Sequence, residues 1–106
     1  MSRAKRRSHT KRLRLFIYAT KGEQNALATA KSYLNYTAFS YDKLIKQLEY
    51  EGYSTEEATY GADNCGADWN EQAAKMAKSY MDFSSFSRAK LIEQLKFEGF
   101  TEEQAE

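Results

Sequence analysis

The sequence predicts an all-α protein of two tandem three-helix units with a helix-turn-helix outline, the second truncated, behind a basic N-terminal tail. Three observations predict it. Residues 39–58, FSYDKLIKQLEYEGYSTEEA, return 47 positions later as FSRAKLIEQLKFEGFTEEQA. Extended back to Ala30 and Ala77, the copies align over 29 positions without a gap, 15 of them identical. Self-similarity at a fixed period is the mark of a repeated supersecondary unit. The chain has no proline, so no helix is broken by a missing amide. Each copy is also punctuated by a hydroxyl N-cap and a glycine stop.

Most mismatches between the copies are mild: Tyr36/Phe83, Tyr50/Phe97, Tyr53/Phe100, Ser54/Thr101 and Leu34/Met81. Charge is reversed at Lys46/Glu93 and Glu49/Lys96. A copy that keeps shape while its charge drifts has its core specified and its surface free.

The first helix of unit 1 is expected over residues 23–34. Ala26, Leu27, Ala30, Tyr33 and Leu34 fall at i, i+1, i+4, i+7 and i+8, one apolar stripe; Ala73, Ala74, Ala77, Tyr80 and Met81 repeat it. Helix two begins after Ser40, an N-cap flanked by Phe39 and Leu44 at the hydrophobic-staple positions, and Phe86, Ser87 and Leu91 match them. Leu44, Ile45 and Leu48 supply its buried face, and Gly52 stops it. Helix three opens with Ser54 and Glu57 as a capping box, as Thr101 and Gln104 do later. Ala58, Ala62 and Cys65 follow on one face, so Cys65 reads as a small buried group. After Gly66, Asp68 with Glu71 is expected to form a further box opening unit 2 at Trp69, and unit 2 runs only five residues into its own third helix. The organisation expected is a disordered basic tail over residues 1–21, unit 1 over 22–66 and unit 2 over 67–106.

The formal net charge of +1 conceals segregation. Residues 1–21 hold eight of the sixteen basic residues and no acidic one, and the rest set eight basic against fifteen acidic residues, a balance of −7. The basic stretch is a poor signal peptide because its apolar part is short and interrupted by Arg14. Any membrane contact is expected through this segment, since no apolar run approaches the roughly 20 residues of a spanning helix. A single cysteine excludes an internal disulfide, and His9 has no acidic neighbours. No metal or cofactor site is therefore expected. Nor is an enzyme: the Glu residues are taken up by caps and solvated helix faces, with no nucleophile beside a base.

The helix-turn-helix outline raises DNA binding. The recognition element would be helix three, TEEATYGADN, which carries Glu56, Glu57 and Asp63 and no Lys or Arg. Such a helix repels phosphates, which argues against sequence-specific DNA binding. Fourteen Tyr and Phe residues are too many for so small a chain to bury, and some are expected to line a protein-binding surface. The expected contacts are exposed carboxylates at Glu49, Glu56, Glu57 and Asp63, with Tyr50 and Tyr60 as exposed aromatic anchors.

Residues 30–73, AKSYLNYTAFSYDKLIKQLEYEGYSTEEATYGADNCGADWNEQA, followed by AKSYMDFSSFSRAKLIEQLKFEGFTEEQAE, resemble the tandem repeats of the Ltp-like host cell surface-exposed lipoproteins of Gram-positive bacteria and their temperate phages. The resemblance runs from about Gln24 to Glu106. It rests on the paired Ala-Lys-Ser-Tyr starts, the Leu-Ile-x-Gln-Leu-x-aromatic-Glu-Gly-aromatic cores and the Asn-Cys-Gly-Ala-Asp-Trp joint. It implies a helix-turn-helix shape used for protein recognition. Phage-encoded members act in superinfection exclusion, held outside the membrane by a lipidated cysteine and blocking injection of DNA. The implied partner is the phage tape measure protein or another helical segment. The family implies the cell surface as location; with no lipobox cysteine after the basic stretch, the cytoplasm is the alternative. The alternative function is an intracellular adaptor, or a nucleic-acid binder using the basic tail.

Overall fold

A computed structural model of the chain describes residues 19–106. The expectations for the basic segment fall largely on residues 1–18 and lie outside that range. Among the described residues the chain is all-helical, with six helices: α1 (Lys21–Tyr36), α2 (Tyr41–Tyr50), α3 (Thr55–Asn64), α4 (Trp69–Phe83), α5 (Arg88–Phe97) and α6 (Glu102–Ala105).

Helix α1 starts before the residue expected. Thr20 Oγ1 accepts from the Glu23 amide at 3.0 Å and Glu23 Oε1 accepts from the Thr20 amide at 2.9 Å, a complete capping box. Thr20 and Lys21 thus belong to the first helix and not to the tail. The boxes of α3 (Ser54, Glu57) and α6 (Thr101, Gln104) form as expected. The one at α4 forms by half. Asp68 accepts from the amides of Asn70 and Glu71, while the Glu71 carboxylate turns forward to Lys75, 3.8 Å away. A lysine one turn on competes for a carboxylate that the box pattern alone leaves free.

Helices α2 and α5 end alike. Gly52 takes φ +108°, and the amides of Gly52 and Tyr53 reach back to the carbonyls of Glu49 and Leu48 at 3.0 and 3.1 Å. This Schellman closure needs a left-handed residue, which glycine adopts without strain; Gly99 and Phe100 repeat it on Lys96 and Leu95.

The core of unit 1 is Ala30, Leu44, Leu48, Ala58 and Ala62, with Tyr33, Phe39, Ile45, Tyr53 and a half-buried Cys65 packed around it. Helix α3 lies so close on α1 that a Cβ at Gly61 would stand 3.0 Å from the Ala26 carbonyl oxygen. Cys65 is the C-cap of α3, its thiol directed to the Ala62 carbonyl at 3.3 Å. Unit 2 collects Ala73, Leu95, Phe100 and Ala105. Its α6 spans one turn, and Leu91, the counterpart of the fully buried Leu44, is only half-buried.

The units meet through the start of α2. Ser40 Oγ accepts from the Lys43 amide at 3.1 Å and donates to the Glu98 carbonyl at 2.6 Å. The Phe39 amide donates to Gln72 Oε1 at 3.0 Å, and Tyr41 meets Trp69 edge-on, centroids 5.5 Å apart.

Truncating a buried leucine costs about 2–5 kcal/mol. Leu44→Ala should fall in that range, and Leu91→Ala should cost less because its side chain already meets water. Urea denaturation of the two variants measures the difference. Equal losses would mean that α5 is as well covered as α2.

Candidate protein-binding face

Two polar clusters recur at matching positions. The Tyr33 hydroxyl donates to Glu51 and accepts from Gln47 Nε2 at 3.4 Å. The Tyr80 hydroxyl donates to Glu98 and accepts from Gln94 Nε2 at 3.1 Å. Each ties the first helix of a unit to the end of the second, which gives the identical Gln and Glu residues of the repeat a structural role. The Glu51 hydrogen bond, favouring the neutral phenol, raises the pKa of Tyr33; at Tyr80 burial does most of this and the Glu98 bond adds to it.

The acidic candidates gather on a face of α3 beside the start of α1. Glu23, Thr55, Glu56, Thr59, Tyr60 and Asp63 line a shallow depression of about 390 Å³. Glu49 adjoins it, since its carboxylate accepts from Thr55 Oγ1 at 2.5 Å. Asp63 is steadied by Tyr41, whose hydroxyl donates to Asp63 Oδ1 at 2.6 Å. That hydrogen bond, with burial second, pushes the Tyr41 pKa up to about 12.

Three of the four expected carboxylates thus come together: Glu49, Glu56 and Asp63. Glu57 does not join them. Its carboxylate accepts from the Ser54 amide at 2.9 Å and packs against Gly22, on the α1 side. Tyr50 stands apart from the depression, 84% exposed at the end of α2. Tyr60 overturns its expected exposure: it is 8% exposed. Lying between Glu56 and Asp63 along the helix, it is part of the floor and no projecting anchor.

Sequence reasoning passed over Glu23, Thr55 and Thr59, whose membership follows from the folding of α1 against α3. It also passed over exposed rings at Tyr36 (88%), Phe83 (92%) and Phe97 (74%). Tyr36 matches Phe83, and Tyr50 matches Phe97. Both pairs keep a ring in both copies outside the apolar stripe, and that was the available signal. Among the described residues no group of three or more His, Cys, Asp or Glu side chains is placed to hold a metal ion.

Two three-helix units, a short joint, an acidic third helix and exposed rings define a tandem helix-turn-helix repeat protein. The family model of host cell surface-exposed lipoproteins (Ltp) matches residues 21–65 and again 68–106. The chain belongs to this family. Its fold is similar to the structure of Ltp, a superinfection exclusion protein from the Streptococcus thermophilus temperate phage TP-J34. The TM-score is 0.77 at 35% identity, covering 82% of this chain and 91% of that one. A comparison with curated proteins gives no match.

The shift at Tyr41 carries a sign. Its folded-state pKa lies above the ordinary value of 10.0, so the neutral phenol is favoured by folding. The Tyr41–Asp63 contribution is therefore intact below pH 10.0 and lost as pH rises through about 12. Tyr41→Phe should remove a late step from the tyrosinate absorbance titration and flatten the alkaline fall in stability relative to the parent chain. A superimposable titration would show that the bond does not form in solution.

Proposed function

We propose that the chain acts in superinfection exclusion as a non-enzymatic, stoichiometric binder of a helical segment of an incoming phage's tail, with the tape measure protein as the target. Family membership and the similarity to a superinfection exclusion protein support the biological role. The acidic face of α3 supports the mode: Glu49, Glu56 and Asp63 lie along one side of unit 1, with Tyr50 exposed nearby in sequence. This is the single observation that carries the reading.

A carboxylate strip suits a helix bearing lysines or arginines. Such pairing speeds encounter and sets register more than it adds affinity, so binding weakens with salt without vanishing. Exposed rings provide area that a partner can desolvate. The family's description as host cell surface-exposed supports a location where a tail protein is within reach. Unit 1 is the main binding unit, because Glu49 of its strip is replaced at the matching position of unit 2 by Lys96. The same strip argues against a DNA duplex as partner, for its carboxylates repel phosphates.

The test is capture of purified tape measure fragments by the chain and by a triple variant, Glu49→Gln, Glu56→Gln and Asp63→Asn. Each replacement keeps the hydrogen-bond acceptors, so Thr55 and Tyr41 retain partners. Glu57 is left intact because it caps α3. Capture should be salt-sensitive in the parent chain and reduced by about tenfold or more in the variant. Equal capture by both removes the acidic-face mechanism, and capture by neither removes the target.

A further inference from the structure

Three contacts seat the start of α2 on unit 2. The Phe39 amide donates to Gln72 Oε1 at 3.0 Å, the Ser40 hydroxyl donates to the Glu98 carbonyl at 2.6 Å, and the Tyr41 ring stands edge-on to Trp69. Gln72 is buried and Ser40 wholly so. The seat is close: a Cβ at Gly99 would stand 2.6 Å from Ser40 Oγ and 3.3 Å from Asp42 Cβ. Both rings occur where the copies differ. At the offset of 47 positions Tyr41 matches Arg88 and Trp69 matches Gly22, so neither belongs to the common core of the repeat. From the same ring the Tyr41 hydroxyl reaches the other way and donates to Asp63 at 2.6 Å. Asp63 is exposed in the last turn of α3, on the acidic face.

We propose that unit 2 is the support that sets the acidic face of unit 1: Trp69, Gln72 and the Glu98–Gly99 turn hold the start of α2, and Tyr41 carries that placement to Asp63. Tyr41 is a positioning residue, and the strip is complete only while the joint between the units is closed. An exposed aspartate samples several rotamers in water. A phenol fixed at its ring edge selects one of them, which lowers the ordering cost of pairing with a lysine or arginine of a partner helix. The coupling runs both ways. A cation that engages Asp63 in that rotamer favours the closed joint by the same factor by which closure favours the cation. This use of the strip rests on the binding role proposed above, whereas the coupling of the joint to Tyr41 stands without it.

The test reads Tyr41 in the full chain at neutral pH, with carbon-13 at the ring Cζ, whose NMR shift responds to the acceptor on the hydroxyl. An Asp63→Ala chain marks the position without that acceptor. Gly99→Ala strikes Ser40 from the other unit. Gly52→Ala is its control: the backbone is alike, φ +108° against +104°, but a Cβ there meets nothing within 4 Å, so strain is imposed without the collision. Gln72→Leu removes the Phe39 acceptor and leaves both glycines alone. The signal is averaged over closed and open joints and moves with the open population. Gly99→Ala and Gln72→Leu should each bring it about halfway or further to the Asp63→Ala position, and Gly52→Ala should leave it in place. Should Gly99→Ala not fold, judged by the amides of Leu95 and Phe100, Gln72→Leu decides alone. A Tyr41 signal unmoved in either folded joint variant, or moved as far by Gly52→Ala, would overturn the proposal. The readout needs no phage protein, so a failure of tape measure capture would imitate neither result.

Discussion

The approach of α3 to the backbone of α1 is the constraint on which the rest of unit 1 depends. With glycine at position 61 and alanine at 58 and 62, the two helices close to a distance at which even a β-carbon at position 61 would crowd the Ala26 carbonyl. That closure removes Leu44 and Leu48 from water, each fully buried side chain contributing roughly 1.5–3 kcal/mol. Units of about 40 residues lie near the lower limit of independent folding, so a helix that completes the cover decides how firmly a unit holds. Close packing also turns the remaining side of α3 outward, and this outward side carries the carboxylates.

The junction between units is built on directed hydrogen bonds more than on charge. Ser40 is wholly buried and serves two masters, capping α2 and holding the end of α5, whereas Ser87 at the matching position is exposed and only caps. Repetition therefore does not mean equivalence: the same residue is structural glue in one copy and a local cap in the other. The Lys43–Glu98 ion pair at 3.4 Å spans the same joint, but with the lysine side chain 53% exposed it adds little beyond those bonds.

Much of this was legible in the sequence because the signals are local. The helix starts at Ser40, Ser54, Ser87 and Thr101 and the stops at Gly52 and Gly99 follow from capping chemistry confined to a few adjacent residues. What escaped depends on neighbours distant in the chain. Tyr60 sits beside carboxylates on α3 and reads as surface, yet it is 8% exposed. Gln47 and Glu51 read as solvated polar positions, yet they hold Tyr33. Helical periodicity identifies the face toward the core, but not which of the remaining directions meets another helix. Half of the candidate site was legible for the same reason: charge on α3 is visible in one dimension, while the use of Glu57 as a cap and the placing of Glu49 beside Thr55 require the fold.

The most direct test of the account is residue-resolved hydrogen exchange of α2 and α5 in the parent chain and in Gly61→Leu. The account predicts slower exchange across residues 43–48 than across 90–95 in the parent. It predicts that the leucine, by forcing α3 off α1, accelerates exchange in α2 to the level of α5 while leaving α5 within a few fold of its parent rate. Protection in α5 equal to that of α2 in the parent chain, or α2 unchanged by the leucine, would contradict it.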